Sequence, residues 1–408
     1  MVQRHTSALR PQVWMRLCYW WWFAAIGAFT PFASLYYREM GLEGIQIGVL
    51  TAMSSVGTAF LAPVWGAMAD KYAVHKGLLG GLLLGGALGA LLLARAGSFP
   101  HALLAVALLA ACVSPVPSFL DSYAVQISER SGTSYGAMRV WGSIAYILAT
   151  WSLGHLMGVE VSRLFIYCYA ACLLLTMLSS WGLPRLREHA VHAMWSSFKR
   201  VLSKRALVVF LLLTYVIAAA MSTMYSFFGI YVREIGGTTA MLGTASSLAA
   251  ISELPIIAGS GLLLRVLGPR RLLMIAVASY TVRLGVYGFL PYTHWVLGIQ
   301  LIHGLCFGAY LVSTVTLAHR LAGRELAATA QAMLASISMG FGSITGSVMG
   351  GALLDALGTV GIYKLAAGMM LAALAALALS MHLLEEGEEA QATPAEAGEA
   401  AASPTGQP

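Results

Sequence analysis

Charge is scarce in this sequence. Asp, Glu, Lys and Arg make up 10% of its 408 residues, where a soluble globular chain carries about 25%. That shortage excludes an ordinary water-soluble fold. Cysteine is sparse too. Cys18, Cys112, Cys168, Cys172 and Cys306 all fall in apolar runs and none forms a CxxC pair, so neither a disulfide framework nor a thiolate metal site is expected. The chain has no GxxxxGK(S/T), no HExxH and no GxSxG, motifs that an ATP-driven pump, a zinc hydrolase or a serine hydrolase would need. No cofactor, no metal and no enzyme chemistry are expected. Alternating runs that would build a membrane β-barrel are also missing.

What remains is apolar: 59% of the residues are hydrophobic and the mean hydropathy is +0.77. A membrane-spanning helix needs about 20 mainly apolar residues. Twelve runs qualify, near 13–37, 45–69, 77–96, 101–127, 136–157, 163–183, 206–232, 240–264, 272–291, 295–319, 325–353 and 360–383. Without water to bond exposed amides, helices are the way to span. The expected fold class is an all-α membrane protein of twelve transmembrane helices.

The net charge of +7 invites a nucleic-acid reading, and its distribution removes it. With the N-terminus inside, eighteen Lys and Arg flank the inner ends of the runs. Only Arg38, Arg95, Arg163, Arg233 and Lys364 flank the outer ends. This is the positive-inside pattern. It predicts a multi-pass protein of the cell membrane with both termini in the cytoplasm, and no nucleic-acid partner.

The chain contains one stretch twice. Tyr36, Arg38, Glu39, Gly41, Gly48 and Gly66 recur 195 positions later as Tyr231, Arg233, Glu234, Gly236, Gly243 and Gly261. A repeat of this length in an apolar chain predicts two pseudo-symmetric six-helix bundles, over 1–183 and 206–383. The basic segment 184–205 links them, and the Glu-rich residues 384–408 read as a disordered acidic tail. Glycines at every fourth position, Gly77, Gly81, Gly85 and Gly89 in one run and Gly342, Gly346 and Gly350 in another, read as grooves for close helix packing.

Few ionisable residues fall inside the spans: Asp121, Arg139, Glu253, Arg283 and His303. Such residues face a cavity and pair with one another. Hairpin geometry predicts the pairs. Glu253 and Arg283 are equidistant from the Gly268–Pro269 turn, and Arg283 and His303 from Thr293. Asp121 and Arg139 are equidistant from Arg130. Glu253, Arg283 and His303 should therefore share one level, about 15 Å deep at about 1.5 Å rise per residue. Asp121 and Arg139 should form a second pair nearer the inner side. Two acid–base groups in opposite halves predict a cavity between the halves that binds a solute. There Glu253 could exchange Arg283 for a proton, and His303 titrates in a useful range. The Tyr146, Tyr215 and Tyr225 rings would wall it.

These residues also carry a resemblance. Gly66, Asp70 and Lys71 with His75 and Lys76 resemble the signature loop of the major facilitator superfamily. The run 135–146 and Gln300–Gly304 are similar to its lactose-permease-like and phenylpropionate-permease-like branch. The resemblance implies an inner gate at Gly66, Asp70, Lys71 and Lys76. It also implies solute-gripping roles for Asp121 and Arg139 and coupling roles for Glu253, Arg283 and His303. Where a permease of this kind places a proton-carrying Glu and a Lys, this chain has Cys306 and Gln300. A monomer is implied. The leading expectation is a secondary transporter that takes up a small polar organic solute (an aromatic acid, a nucleoside or a sugar) by proton symport. The alternatives are proton-coupled efflux, or a membrane receptor that transports nothing.

Overall fold

The computed structural model describes residues 11–72, 74–184 and 200–391, apart from the side chain of Asp70. Residues 185–199 of the linker and 392–408 of the tail lie outside the described residues.

Among the described residues the chain is helical and the helices build twelve rods. In the first half these are α1 (Pro11–Glu39), α2 (Gly44–Val56) continued by α3 (Ala62–Tyr72), α4 (His75–Arg95), α5 (Phe99–Val113) continued by α6 (Val116–Ser131), α7 (Tyr135–Met157) and α8 (Leu164–Ser180). The second half has α9 (Arg205–Glu234), α10 (Thr239–Ala258), α11 (Ser260–Phe289), α12 (Thr293–Gln300) continued by α13 (Ala309–Ala322), α14 (Ala327–Ala335) continued by α15 (Ser343–Leu379), and the short α16 (Met381–Glu389). Two of these helices turn back on themselves. α11 breaks at Gly268 (φ 70°) and α15 at Gly358 (φ 66°), so each serves two rods. Both breaks fall at glycines because only glycine enters the left-handed region freely. Large apolar side chains such as Leu104, Leu156, Leu212 and Phe289 point outward, as a lipid-facing surface requires.

The duplication has a structural meaning at each repeated glycine. Gly41 and Gly236 both have positive φ, 79° and 87°, and end the first rod of their half. Gly48 and Gly243 form the seam between bundles. α2 packs against α15, and α10 against α7. A Cβ at Gly48 would lie 2.6 Å from the Ser347 carbonyl oxygen, and one at Gly243 would collide with the Thr150 carbonyl. Polar clasps reinforce this end. Asp355 accepts from Arg38 at 2.7 Å and from the Gly44 backbone N–H at 2.6 Å. In the symmetry-related place the Thr239 hydroxyl donates to the Gly158 carbonyl at 2.6 Å, and Arg233 donates to that of Val159 at 2.9 Å.

The opposite end is open. Gly66 and Gly261, the last repeated glycines, have open space where a Cβ would sit. Two basic residues of this end, Lys76 and Arg270, are tied to their own halves. Lys76 donates to the Trp181 and Leu183 carbonyls at 2.5 and 3.0 Å. Arg270 bonds Glu385 and Glu388, both at 2.9 Å.

Two expectations need correction. Residues 384–389 are not a loose tail, because α16 docks its Glu388 between Arg270 and Arg320. Burial holds the Glu388 carboxyl above the ordinary carboxylate range, and the two arginines pull it back. The glycine groove of α4 is used only in part. Gly85 and Gly89 meet α5 closely, whereas Gly77 and Gly81 have no close neighbour. The groove at Gly342, Gly346 and Gly350 is used throughout, against α9.

The seam yields the first test. Gly243→Leu leaves no room for the Thr150 backbone and should force α7 and α10 apart at the Arg233 end. The expected outcome is faster modification of a Ser247→Cys thiol, which the seam buries, by a water-soluble maleimide, and a loss of about 1–3 kcal/mol in stability. An unchanged labelling rate would show that the seam yields elsewhere.

Candidate functional site

Between the bundles lies a cavity of about 430 Å³. Four of the five charged or titratable residues picked out in the sequence line it: Arg139, Glu253, Arg283 and His303. The second half supplies a continuous polar chain. The Glu253 carboxylate meets His303 Nε2 at 2.7 Å. His303 Nδ1 meets an Arg283 N–H, a second Arg283 N–H is accepted by Gln300 Oε1, and Arg283 Nε donates to the Tyr287 hydroxyl at 3.3 Å.

The local sequence places these groups. Arg283 and Tyr287 are four apart on α11, and Gln300 and His303 three apart on the next rod, so each pair shares a helix face. Gly304 lets that rod approach α10 until a Cβ there would strike the Ser252 carbonyl. This brings His303 onto Glu253. The Ser252 hydroxyl accepts from the Gly304 N–H at 2.9 Å and fixes the register.

Proton bookkeeping follows from the partners. A guanidinium only donates, so His303 Nδ1 must accept, and Nε2 then carries the proton that Glu253 receives. The neutral imidazole satisfies both contacts. Arg283 is 2% exposed and Gln300 0%, while the Glu253 side chain keeps 23% exposure. Glu253 is thus the most exposed member of a chain whose other groups are buried in the cavity wall.

The structure brings Glu253, Arg283 and His303 together, as the hairpin argument expected, with one difference. His303 stands between Glu253 and Arg283, so the acid and the arginine are joined through it. The first half departs further. Asp121 and Arg139 do not pair. Asp121 Oδ1 accepts from Tyr19 at 2.7 Å and Tyr135 at 3.0 Å. The Arg139 guanidinium instead lies 3.6 Å from the Phe23 ring centre, a cation–π contact. Two tyrosine hydroxyls on one carboxylate oxygen leave the arginine to the cavity. Of the three tyrosines named as walls, Tyr146 and Tyr225 line the cavity. Tyr215 does not, and shares a hydrogen bond with Thr345 at 2.8 Å. In the gate segment Lys71 sits over the Tyr72 ring, and the Asp70 side chain lies outside the described residues.

Residues 12–365 match the family described as MFS_1 like. The chain belongs to this family. Curated relatives include the maltose permease of Geobacillus stearothermophilus, 29% identical over 83% of this chain and 86% of that one. The multidrug resistance protein MdtG of Citrobacter koseri is 26% identical over 85% and 89%. The crystal structure of the nucleoside transporter NupG superposes with a TM-score of 0.82 at 17% identity, over 91% of this chain and 99% of that one. At that identity the match speaks for the fold. Family and relatives together make this chain a major facilitator transporter, a multi-pass membrane protein that moves small solutes by secondary transport and is not an enzyme.

Sequence reasoning missed Gln300 as a partner of Arg283, although its spacing from His303 was a usable signal. Tyr135 lies across the short turn from Asp121 and could have been found in the same way. Tyr19, 102 residues from Asp121, left no signal.

Replacing Gln300 by Leu strips an acceptor from a buried guanidinium. The expected cost is about 1–3 kcal/mol, seen as a lower melting temperature of the purified protein in detergent, while Tyr215→Phe should leave solute binding unchanged. Equal melting of the Leu variant and the parent would mean that Arg283 is satisfied another way.

Proposed function

We propose that this chain is a proton symporter that takes up a small polar organic solute by alternating access, with Glu253 as the proton site. The observation that carries the reading is the chain from Glu253 through His303 to Arg283, with its one carboxylate facing the cavity. In the deprotonated site Glu253 balances Arg283. Protonating Glu253 leaves the Arg283 charge uncompensated at a site poor in water, where an unpaired charge costs several kcal/mol. Acceptor groups of a solute would offset that cost. Proton and solute then favour each other's binding, which is the coupling that symport needs.

The rest of the reading follows the charge pattern. With both termini in the cytoplasm and the protein in the cell membrane, the open end at Gly66 and Gly261 faces inward. Arg139 would grip the solute from the first half, with Asp121 holding the Tyr19 and Tyr135 hydroxyls, the Tyr19 ring lying by the arginine. Gly66, Asp70, Lys71 and Lys76 would close the inner gate in the opposite state. The protein would work as a monomer in the bilayer. Likeness to MdtG supports a second reading, proton-coupled export of drugs. Two arginines and one carboxylate along the cavity weigh against a cationic cargo.

Proteoliposomes decide. Solutes from the sugar, nucleoside and aromatic-acid classes should include one that drives protons inward, with no change when choline replaces sodium. Glu253→Gln should abolish accumulation against a gradient and keep solute exchange. Full proton-coupled accumulation by that variant would remove Glu253 from the mechanism. Outward movement of lipophilic cations under an imposed gradient would favour export.

A further inference from the structure

The hairpin of α4 and α5 carries a groove of about 450 Å³ that shares no lining residue with the cavity at Glu253. Its walls include Leu92, Arg95, Ser98, His101 and Leu104. The two ends of the groove differ in chemistry. Leu92 and Leu104 are 49% and 70% exposed, and leucines so placed in a membrane protein face hydrocarbon. One turn deeper on the same two helices, Leu88 and Leu108 are exposed as well. Arg95 ends α4 and His101 lies in the first turn of α5. Both therefore stand where the chain leaves the hydrocarbon, at the end of the molecule that holds the Arg38–Asp355 clasp.

Three other basic residues of this end are in use. Arg38 is held by Asp355, Arg233 donates to the Val159 carbonyl, and Lys364 lies over the Phe289 ring. Arg95 meets no acceptor among the described residues, and no acid lines the groove. His101 Nδ1 shares a hydrogen bond with the Ser98 hydroxyl at 2.7 Å, which ties the ring to the groove and leaves Nε2 without a partner. Gly97, in the turn between them, has open space where a Cβ would sit. An arginine that merely snorkels needs water at its head and nothing else. This one stands at the polar end of a recess whose other end is apolar.

We propose that the groove is a binding site for an anionic phospholipid of the phosphatidylglycerol class. The phosphate takes the Arg95 guanidinium, whose fork of N–H donors matches two phosphate oxygens. The headgroup lies over Gly97 toward Ser98 and His101. The acyl chains run down the leucines of α4 and α5. From Arg95 to Leu88 the helix descends about 10 Å at about 1.5 Å rise per residue, enough to follow the upper part of a chain. Phosphatidylcholine fits less well, because it brings a quaternary ammonium beside Arg95 and the groove has no acid to receive it. The site needs only the membrane placement that the family gives, and it is independent of which solute is carried and in which direction.

The test is native mass spectrometry of the purified full chain, stripped of lipid and titrated with phosphatidylglycerol or phosphatidylcholine of identical acyl chains. The parent should hold one phosphatidylglycerol about 10-fold more tightly than phosphatidylcholine, the scale of one charge-assisted contact. Arg95→Gln should remove that preference, and Arg95→Lys, which keeps the charge without the fork, should fall between the two. Arg95 is exposed and unpartnered, so its replacement takes no contact from the fold. Arg163→Gln removes another exposed arginine of the same end that does not line the groove, and should leave the preference as it was. Equal affinity of the parent for both lipids, an unchanged preference in Arg95→Gln, or an equal loss in Arg95→Gln and Arg163→Gln overturns the site. Displacement of bound phosphatidylglycerol by an equal concentration of glycerol phosphate also overturns it, since the groove would then hold a phosphate and have no use for the chains.

Discussion

A guanidinium has five N–H donors and cannot shed its proton. Placed where water does not reach, it must be met by protein acceptors, and the second half of this molecule is arranged around that demand at Arg283. Tyr287 comes from the same helix one turn on. Gln300 and His303 come from the neighbouring rod. Glu253 comes from a third and reaches the arginine only through the imidazole. Three rods are thereby held in one register by a single cation. Buried ion pairs add little net stability in themselves, so the arrangement is better understood as a way to keep a charge available next to the cavity.

The cavity exists because the two bundles touch along narrow seams. Those seams depend on the absence of side chains at Gly48, Gly154, Gly243 and Gly351. Van der Waals contact between backbones holds one end together, and the polar clasps of Asp355 and Gly158 add direction to it. Such contacts are separable. They bury little that water or another helix could not replace, which suits an interface that must open when the molecule exposes its other side.

Most of the fold was legible in the sequence. Long apolar runs leave helices as the only solution, and the 195-residue repeat announced two halves before any contact was known. The structure adds the reason for the repeat: Gly41 and Gly236 turn the chain, and Gly48 and Gly243 make the seams. The site was legible only where charge is rare. Glu253, Arg283 and His303 stood out because a charge in a membrane span is costly. The Asp121–Arg139 pair was misjudged, since equal height says nothing of a tyrosine from α1 reaching the same carboxylate. A second cavity of about 500 Å³ adjoins the first, lined by twelve Ser and Thr residues and, among its described lining residues, no charge, and it was invisible for a different reason. Ser and Thr in apolar helices have an ordinary use, bonding the carbonyl one turn back, and nothing in a linear sequence tells that use from a wall of acceptors.

Backbone irregularity ties the two cavities together. The three π turns among the described residues, Gly57–Leu61, Gly304–Gly308 and Ser336–Gly342, all contribute to the second cavity, through Thr58, Phe307, Ser338 and Met339. A π turn accommodates one residue more than an α turn and recurs at functional sites. Two of them meet across the bundles, where Phe60 lies edge-on to Phe341. The third directly follows His303. The second-half rods carry linked polar groups on one side and Ser and Thr side chains on another. The extra residue in a π turn shifts the side chains beyond it relative to an ideal α-helix, and here such turns stand where a charged cavity and an uncharged one adjoin at Ile26, Tyr225 and Phe307.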